Sequence, residues 1–169
     1  MNAISRNLTS ATTPTALTGW ALLSMDGLML ALPQKDIVTI VLTADLQPAP
    51  EASRETGTDS DRAIGWLKLD AQYSPVYCLD RHLAVVSTLI GAERVLLFRS
   101  DERILGLAGT HISLLANDTD IVVPPLPACL KQPGSPLVGL ALRNNAIVYV
   151  INAQMLGRYL SSLETEHAG

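Results

Sequence analysis

Cys78, Asp80 and His82 fall at alternate positions of the phrase Cys-Leu-Asp-Arg-His. A thiol, a carboxylate and an imidazole in reach of one another could form a nucleophile, an orienting acid and a general base. That chemistry requires all three to meet on one face. Cys78 keeps step with Val76, an inward-facing phase, whereas His82 falls on the outer side of a short helix expected from Asp80 to Thr88 with Asp80 as its cap. The pattern therefore reads first as core and surface. A small hydrolase or ligand-binding barrel using Cys78, Asp80 and His82 stands as the alternative.

Other chemistry is sparse. His111 sits in a strand-like run and His167 near the end of the chain, neither beside a second ligand. Asp59, Asp61, Asp118 and Asp120 lie in loops without the ligand density of a calcium site. No phosphate loop, dinucleotide fingerprint or zinc spacing occurs, so no cofactor, metal or catalytic residue is expected. Cys78 and Cys129 lie in apolar runs and read as buried thiols of a cytosolic protein.

The elements that carry these residues are mostly strands. Leu17–Ser24 and Leu28–Leu32 flank Asp26-Gly27, a dipeptide suited to a two-residue hairpin turn. Pro33 to Asp36 reads as a corner. Ile37–Leu42 is rich in β-branched residues and reads as a strand. A polar loop covers 46–62. The phrase from Gly65 to Leu83 alternates apolar and polar residues on both sides of Asp70-Ala71-Gln72, as a half-buried hairpin would. Arg94–Arg99, Arg103–Leu107 and His111–Leu115 are further strands, followed by a Pro-rich loop over 116–136. Leu137 to Ile151 forms a second hairpin around Asn144-Asn145. Asn152 then caps a terminal helix with Ala153, Leu156, Tyr159, Leu160 and Leu163 on one face.

Two comparisons suggest internal duplication. Val76-Tyr77-Cys78-Leu79-Asp80 lines up with Val148-Tyr149-Val150-Ile151-Asn152, type for type at four of five positions, and the second phrase is read as having the shorter turn. At an offset of 75 residues, Asp26, Leu30, Leu32, Ile37 and Asp45 meet Asp101, Leu105, Leu107, Ile112 and Asp120. A long period occurring twice predicts two similar halves, about 17–90 and 91–160, each with five short strands able to curl into a small barrel. Residues 1–16 read as a flexible tail and 161–169 as another.

Composition bounds the rest. The 169 residues suffice for one domain or two small ones sharing a core, and 48% of them are apolar. One Phe and two Trp leave aliphatic side chains to fill that core. A net charge of −4 without a basic cluster argues against nucleic acid. No apolar run reaches the ~20 residues of a membrane span, and the N-terminus lacks the apolar stretch of a secretory signal. A cytoplasmic protein without direct membrane insertion is expected.

In this order, the phrases resemble those of the CheW-like family, the coupling proteins of bacterial chemosensory arrays. Gly27-Leu28-Met29-Leu30-Ala31-Leu32-Pro33 is similar to its opening strand pair, and Ile37-Val38-Thr39-Ile40 to its valine-x-glutamate-isoleucine segment. Gly65 to Leu79 is similar to its central glycine-led phrase, and Gly139 to Leu160 to its closing hairpin and helix. The resemblance covers Leu17 to Leu160. It implies a mainly β fold of two five-stranded SH3-like barrels sharing a core, with short helices including a C-terminal one. It also implies a non-enzymatic adaptor joining a signalling histidine kinase to a chemoreceptor-like protein.

Four positions depart from the family pattern. Asp70 stands where the family has arginine, Ala71 where it has glycine, Cys78 where it has aspartate, and Thr39 where it has glutamate. In the family, that arginine and glutamate face the receptor. Here one charge is reversed and the other lost, so the resemblance implies an altered partner preference or a less typical pathway, such as surface motility. The expected contact residues are Ile37, Thr39, Ile40, Asp70 and Tyr73. A self-associating structural protein is the further alternative.

Overall fold

The structure, a computed structural model, describes residues 19–51, 62–89, 91–116 and 121–165. The expected tail 1–16, most of the polar loop, His167 and the acidic residues Asp59, Asp61, Asp118 and Asp120 lie outside these, as does the side chain of Leu163. Eleven strands and one long C-terminal helix follow one another among the described residues.

Short Asp and Asn residues set the hairpin tips. The first hairpin, β1 (Trp20–Met25) and β2 (Leu28–Pro33), turns at Asp26-Gly27. Strands β4 (Gly65–Leu69) and β5 (Gln72–Leu79) turn at Asp70. Strands β7 (Arg94–Ser100) and β8 (Arg103–Gly109) turn at Asp101, and β10 (Leu137–Arg143) and β11 (Ala146–Ile151) at Asn144. Those four tip residues have φ of 43°, 50°, 52° and 50°, a left-handed conformation that Asp and Asn adopt at low cost.

The remaining strands are β3 (Ile37–Leu42), β9 (His111–Leu115) and the two-residue β6 (Val85–Val86). One sheet has the order β10-β11-β2-β1-β9 and the other β4-β5-β8-β7-β3, with β6 added on β5. Matching β1 to β7, β2 to β8, β3 to β9, β4 to β10 and β5 to β11 makes the two orders identical. The duplication read from the sequence is thus present in the topology.

Each half does not, however, form its own sheet as expected. The β1–β2 hairpin joins β9, β10 and β11 of the second half, while β7–β8 joins β3, β4 and β5 of the first. After each central hairpin the chain turns a corner, at Gln34–Asp36 or at Thr110, and its next strand pairs with the opposite hairpin. The halves are interlocked.

Both sheets curl shut at equivalent places. Gln47 bridges Trp66 through two backbone hydrogen bonds of 2.8 and 2.9 Å, and Pro125 bridges Gly139. The returning chain crosses a glycine each time. A Cβ on Gly65 would lie 3.0 Å from the Leu46 Cβ, and one on Gly139 would run into the Val123 side chain. Gly65 and Gly139, which open the two echoing phrases, are small because the closing segment passes over them.

Three apolar clusters explain the near-continuous apolar runs in β1, β2, β7 and β8. Leu23, Leu30, Leu32, Leu96, Phe98, Leu105 and Leu107 fill a shared core between the sheets. The opposite faces of the same strands fill each barrel separately, with Leu22 and Ala31 in one and Val95, Leu97 and Ala108 in the other. Strands buried on both faces lose the polar alternation of a half-exposed sheet.

Several local expectations change. Cys129, read as a buried thiol, is exposed. The region from Asp80 to Thr88 is not a helix. It makes a tight turn, with Leu83 at φ 63°, and then β6, whose two valines pair with Cys78 and Leu79. A left-handed residue interrupts a helix at once, and paired β-branched residues favour the strand. The second hairpin also has no shorter turn, since both turns contain two residues. Gly65 pairs with Val76 and Gly139 with Val150, so the structural offset is 74 residues, and the extra length lies at the end of β5.

Helix α1 (Ala153–Thr165) starts as expected, with the Asn152 side chain accepting a 3.0 Å bond from the Met155 N–H. Ala153, Leu156 and Leu160 are buried, and Tyr159 is half-buried. The helix continues past residue 160, where a tail was expected. Gly157 lies against Ser100, whose hydroxyl donates to the Gln154 carbonyl at 3.2 Å. This contact ties α1 to the β7–β8 hairpin.

Candidate functional site

The Cys78, Asp80 and His82 side chains do not form a relay. Asp80 Oδ1 accepts backbone N–H bonds from His82 at 2.8 Å and Ala84 at 3.0 Å, which holds the corner after β5. The His82 ring is exposed, and its Nε2 accepts a 3.2 Å bond from Arg81 Nε. Cys78 is buried on β5, and burial, more than the nearby Asp26 charge, pushes its thiol above the ordinary pKa of 9.0. A backbone hydrogen bond at Leu79 opposes that shift. A thiol whose pKa burial raises is a poor nucleophile.

Cys78 and Asp80 instead line a cleft of about 420 Å³ with Met25, Asp26, Thr110 and Val86. The cleft lies where the β1–β2 turn of one sheet meets the end of β5 in the other. Tyr159 fixes the adjoining corner by donating a 2.9 Å bond to the Leu83 carbonyl. His111 is exposed at the start of β9, and the described residues contain no group of three or more metal-ligating side chains.

The five expected contact residues all belong to the second sheet. Ile37, Thr39 and Ile40 lie on β3, whose pairing with β7 shifts by one residue around Val38. That bulge lets Ile37 and Ile40, three apart, both pack against the shared core, while Thr39 is exposed. Asp70 and Tyr73 lie on the β4–β5 hairpin, at the sheet's other edge. Both are exposed, and Tyr73 faces its cross-strand partner Lys68, whose Nζ is 6.0 Å from the ring centroid. By register, Ile37 is level with Phe98, Leu105 and Pro75, so the start of β3 and the Asp70 turn share one end of the sheet. Ile37 and Ile40 thus serve the core, whereas Thr39, Asp70 and Tyr73 are available to a partner.

One surface was not anticipated. Leu142 and Ile147 pair across β10 and β11 and point out of the first barrel, with 69% and 56% of their surfaces exposed. Leu140 and Tyr149 lie on the same side of the sheet but are half-buried, and Tyr149 packs against the shared core. The signal was present in the sequence. Leu140-Ala141-Leu142 and Ile147-Val148-Tyr149 are apolar in both phases of the alternation, and only one phase can face a barrel interior.

No family model matches the chain, and no curated protein matches it. Among solved structures, the fold is similar to that of the scaffolding protein CheW from Thermoanaerobacter tengcongensis. The TM-score is 0.58 at 15% sequence identity, over 82% of this chain and 91% of that one. No helix among the described residues is long and apolar enough to cross a membrane.

Proposed function

We propose that this chain is a non-enzymatic adaptor in a bacterial chemosensory pathway, coupling a histidine kinase to a receptor or to an atypical partner, in chemotaxis or surface motility. The observation that carries the reading is the pair of interlocked sheets, whose five principal strands share one order, in a fold similar over most of both chains to that of a CheW scaffolding protein. The arrangement of Cys78, Asp80 and His82 also favours it, because Asp80 holds backbone and the His82 ring bonds to Arg81. The adaptor works in the cytoplasm, without nucleic acid and without entering a membrane.

In this reading the partner-facing residues are Thr39, Asp70 and Tyr73, with Ile37 and Ile40 setting the shape of the β3 edge. A carboxylate at the tip of an exposed hairpin attracts cationic partners and repels acidic ones, so Asp70 acts mainly on partner choice. The test is a pull-down with each of the organism's chemosensory kinases, using folded protein. One kinase is retained. Retention of none would refute the reading. In a companion measurement, Asp70→Arg gains binding to a standard receptor tip. If binding stays unmeasurable, the charge at this turn does not set specificity.

A further inference from the structure

The hairpin tips at Asp26 and Asp101 are equivalent in the two halves, yet the chain treats them differently. After β11, Asn152 opens α1, and that helix covers the β7–β8 tip. Gln154 Oε1 accepts the Asp101 N–H at 2.6 Å, and Arg158 Nε lies 3.6 Å from Asp101 Oδ2. After β5, the aligned residue Asp80 opens a tight turn instead, and no helix among the described residues covers Asp26. The cleft of about 420 Å³ occupies that place. The Asp26 carboxylate has no ion pair or hydrogen bond among the described residues. From this difference we infer that the cleft binds a small organic cation, an amidinium or guanidinium group carried on an apolar body.

The lining sets the ligand class. Its charged side chains are Asp26 and Asp80, and no cationic side chain is among the lining residues. Arg81 and His82, beside Asp80 in sequence, bond to each other outside the lining. Met25, Leu79, Val86 and Ala92 supply apolar walls. Burial and, less strongly, the Asp26 charge raise the Cys78 thiol, so this carboxylate acts close to those walls. A planar cation can give paired N–H bonds to a carboxylate while its body displaces water from the walls. The volume falls within the ~300–1,000 Å³ of small-molecule sites. The site is also preformed, which spares a ligand the cost of ordering it. Asp80 Oδ1 is held by its two backbone bonds, and Thr110 donates its N–H and its hydroxyl to the Ser24 carbonyl at 2.8 and 3.0 Å. The cleft lies at the end of β5, whereas Asp70 and Tyr73 lie at its start, so ligand and protein partner would use different surfaces. The inference rests on the cleft and the paired tips, and it is independent of the adaptor reading.

Amide NMR of the isotope-labelled full chain tests it, by titration with benzamidinium, benzamide and benzoate, which match in shape and differ in charge. With benzamidinium, the amide signals of Cys78, Leu79, Gly109 and Thr110 should shift and saturate, with a dissociation constant on the order of 1 mM or tighter. Benzamide should bind about tenfold more weakly or worse, and benzoate should not bind. Asp26→Asn with Asp80→Asn should weaken benzamidinium by about tenfold or more. Asparagine tolerates the left-handed tip at 26 and keeps an acceptor oxygen at 80, so the fold should survive. Thr88→Trp, at an exposed rim position, should abolish binding by filling the cleft. Asp101→Asn, at the equivalent tip, should leave binding unchanged. An absence of saturating shifts up to about 20 mM benzamidinium overturns the inference. So does benzoate binding as well as benzamidinium, full binding by the double asparagine or the tryptophan variant, a loss caused by Asp101→Asn, or shifts that map away from the cleft.

Discussion

The β4–β5 and β10–β11 hairpins occupy equivalent places in the two sheets, yet they have diverged in one respect only where they meet solvent. Both start at a glycine beneath a closing segment, both turn at a left-handed Asp or Asn, and both pair in parallel with a central hairpin. Their inward residues do the same work, Leu67 and Val76 in one barrel and Ala141 and Val150 in the other. Their outward pairs differ. One is Lys68 with Tyr73, the other Leu142 with Ile147. Positions that close a barrel have held their size and conformation, whereas positions outside it have taken up different partner chemistry.

The strongest way to break this equivalence is to separate the halves. Because each sheet takes its central hairpin from the other half, residues 1–90 and 91–169 expressed apart should show no cooperative unfolding transition. Mixing them should restore one. A cooperative transition in either fragment alone would mean that a half can close its own barrel. Next in size are truncations in the shared core. Leu23 and Phe98 are equivalent and fully buried. Phe98→Ala should cost roughly 3–5 kcal/mol and Leu23→Ala roughly 2–5 kcal/mol in urea unfolding. Each should shift a single transition, and two separate transitions would mean that the barrels melt independently.

The closing glycines sharpen the comparison further. An added methyl at Gly139 meets the stiff Val123 side chain, while one at Gly65 meets Leu46 at 3.0 Å. Gly139→Ala should therefore cost about 1–3 kcal/mol, the range for overpacking, and Gly65→Ala less. Equal losses would show that closure is equally tight in both barrels.

How much of this was legible depends on what periodicity reports. β-Branched content marks a strand, and short Asp and Asn residues mark a turn, so Ile37–Leu42 and the hairpin tips at Asp26, Asp70 and Asn144 could be read directly. Neither identifies neighbours, and the exchange of central hairpins was therefore invisible. Asp80 misled for a different reason. A carboxylate accepting nearby backbone N–H bonds looks alike at a helix cap and at a tight turn, and only the left-handed Leu83 decides between them. Among the candidate contact residues, exposure at Thr39, Asp70 and Tyr73 fits their strand phase or turn position. Ile37 and Ile40 share a face only because of the bulge at Val38, which no residue type announces. The outward leucines were legible as a doubly apolar hairpin, but a duplicated core accounts for such a run equally well.

A smaller effect concerns alkaline pH. Burial raises Cys78 above 9.0, and burial, followed by the Asp80 charge, raises Tyr159 above 10.0. The folded state then keeps protons that the unfolded chain releases, so stability is present in full below those ordinary values. It is lost as pH rises through the raised ones. Urea midpoints should hold from pH 7 to about 8.5 and fall beyond about 9. Tyr159→Phe, which removes the bond to Leu83, should lower stability by about 1 kcal/mol at neutral pH and reduce the alkaline fall.

The smallest change in stability should come from exchanging the outward pairs. Lys68→Leu with Tyr73→Ile gives the first hairpin the chemistry of the second. Lys68 and Tyr73 are exposed, and an exposed cation–π contact is worth about 0.5–1 kcal/mol at most. New apolar contact between the introduced side chains offsets part of that loss, so the unfolding free energy should move by no more than about 0.5 kcal/mol. Urea unfolding checks this, and a larger loss would mean that the Lys68–Tyr73 pair contributes more than an exposed contact of this kind should.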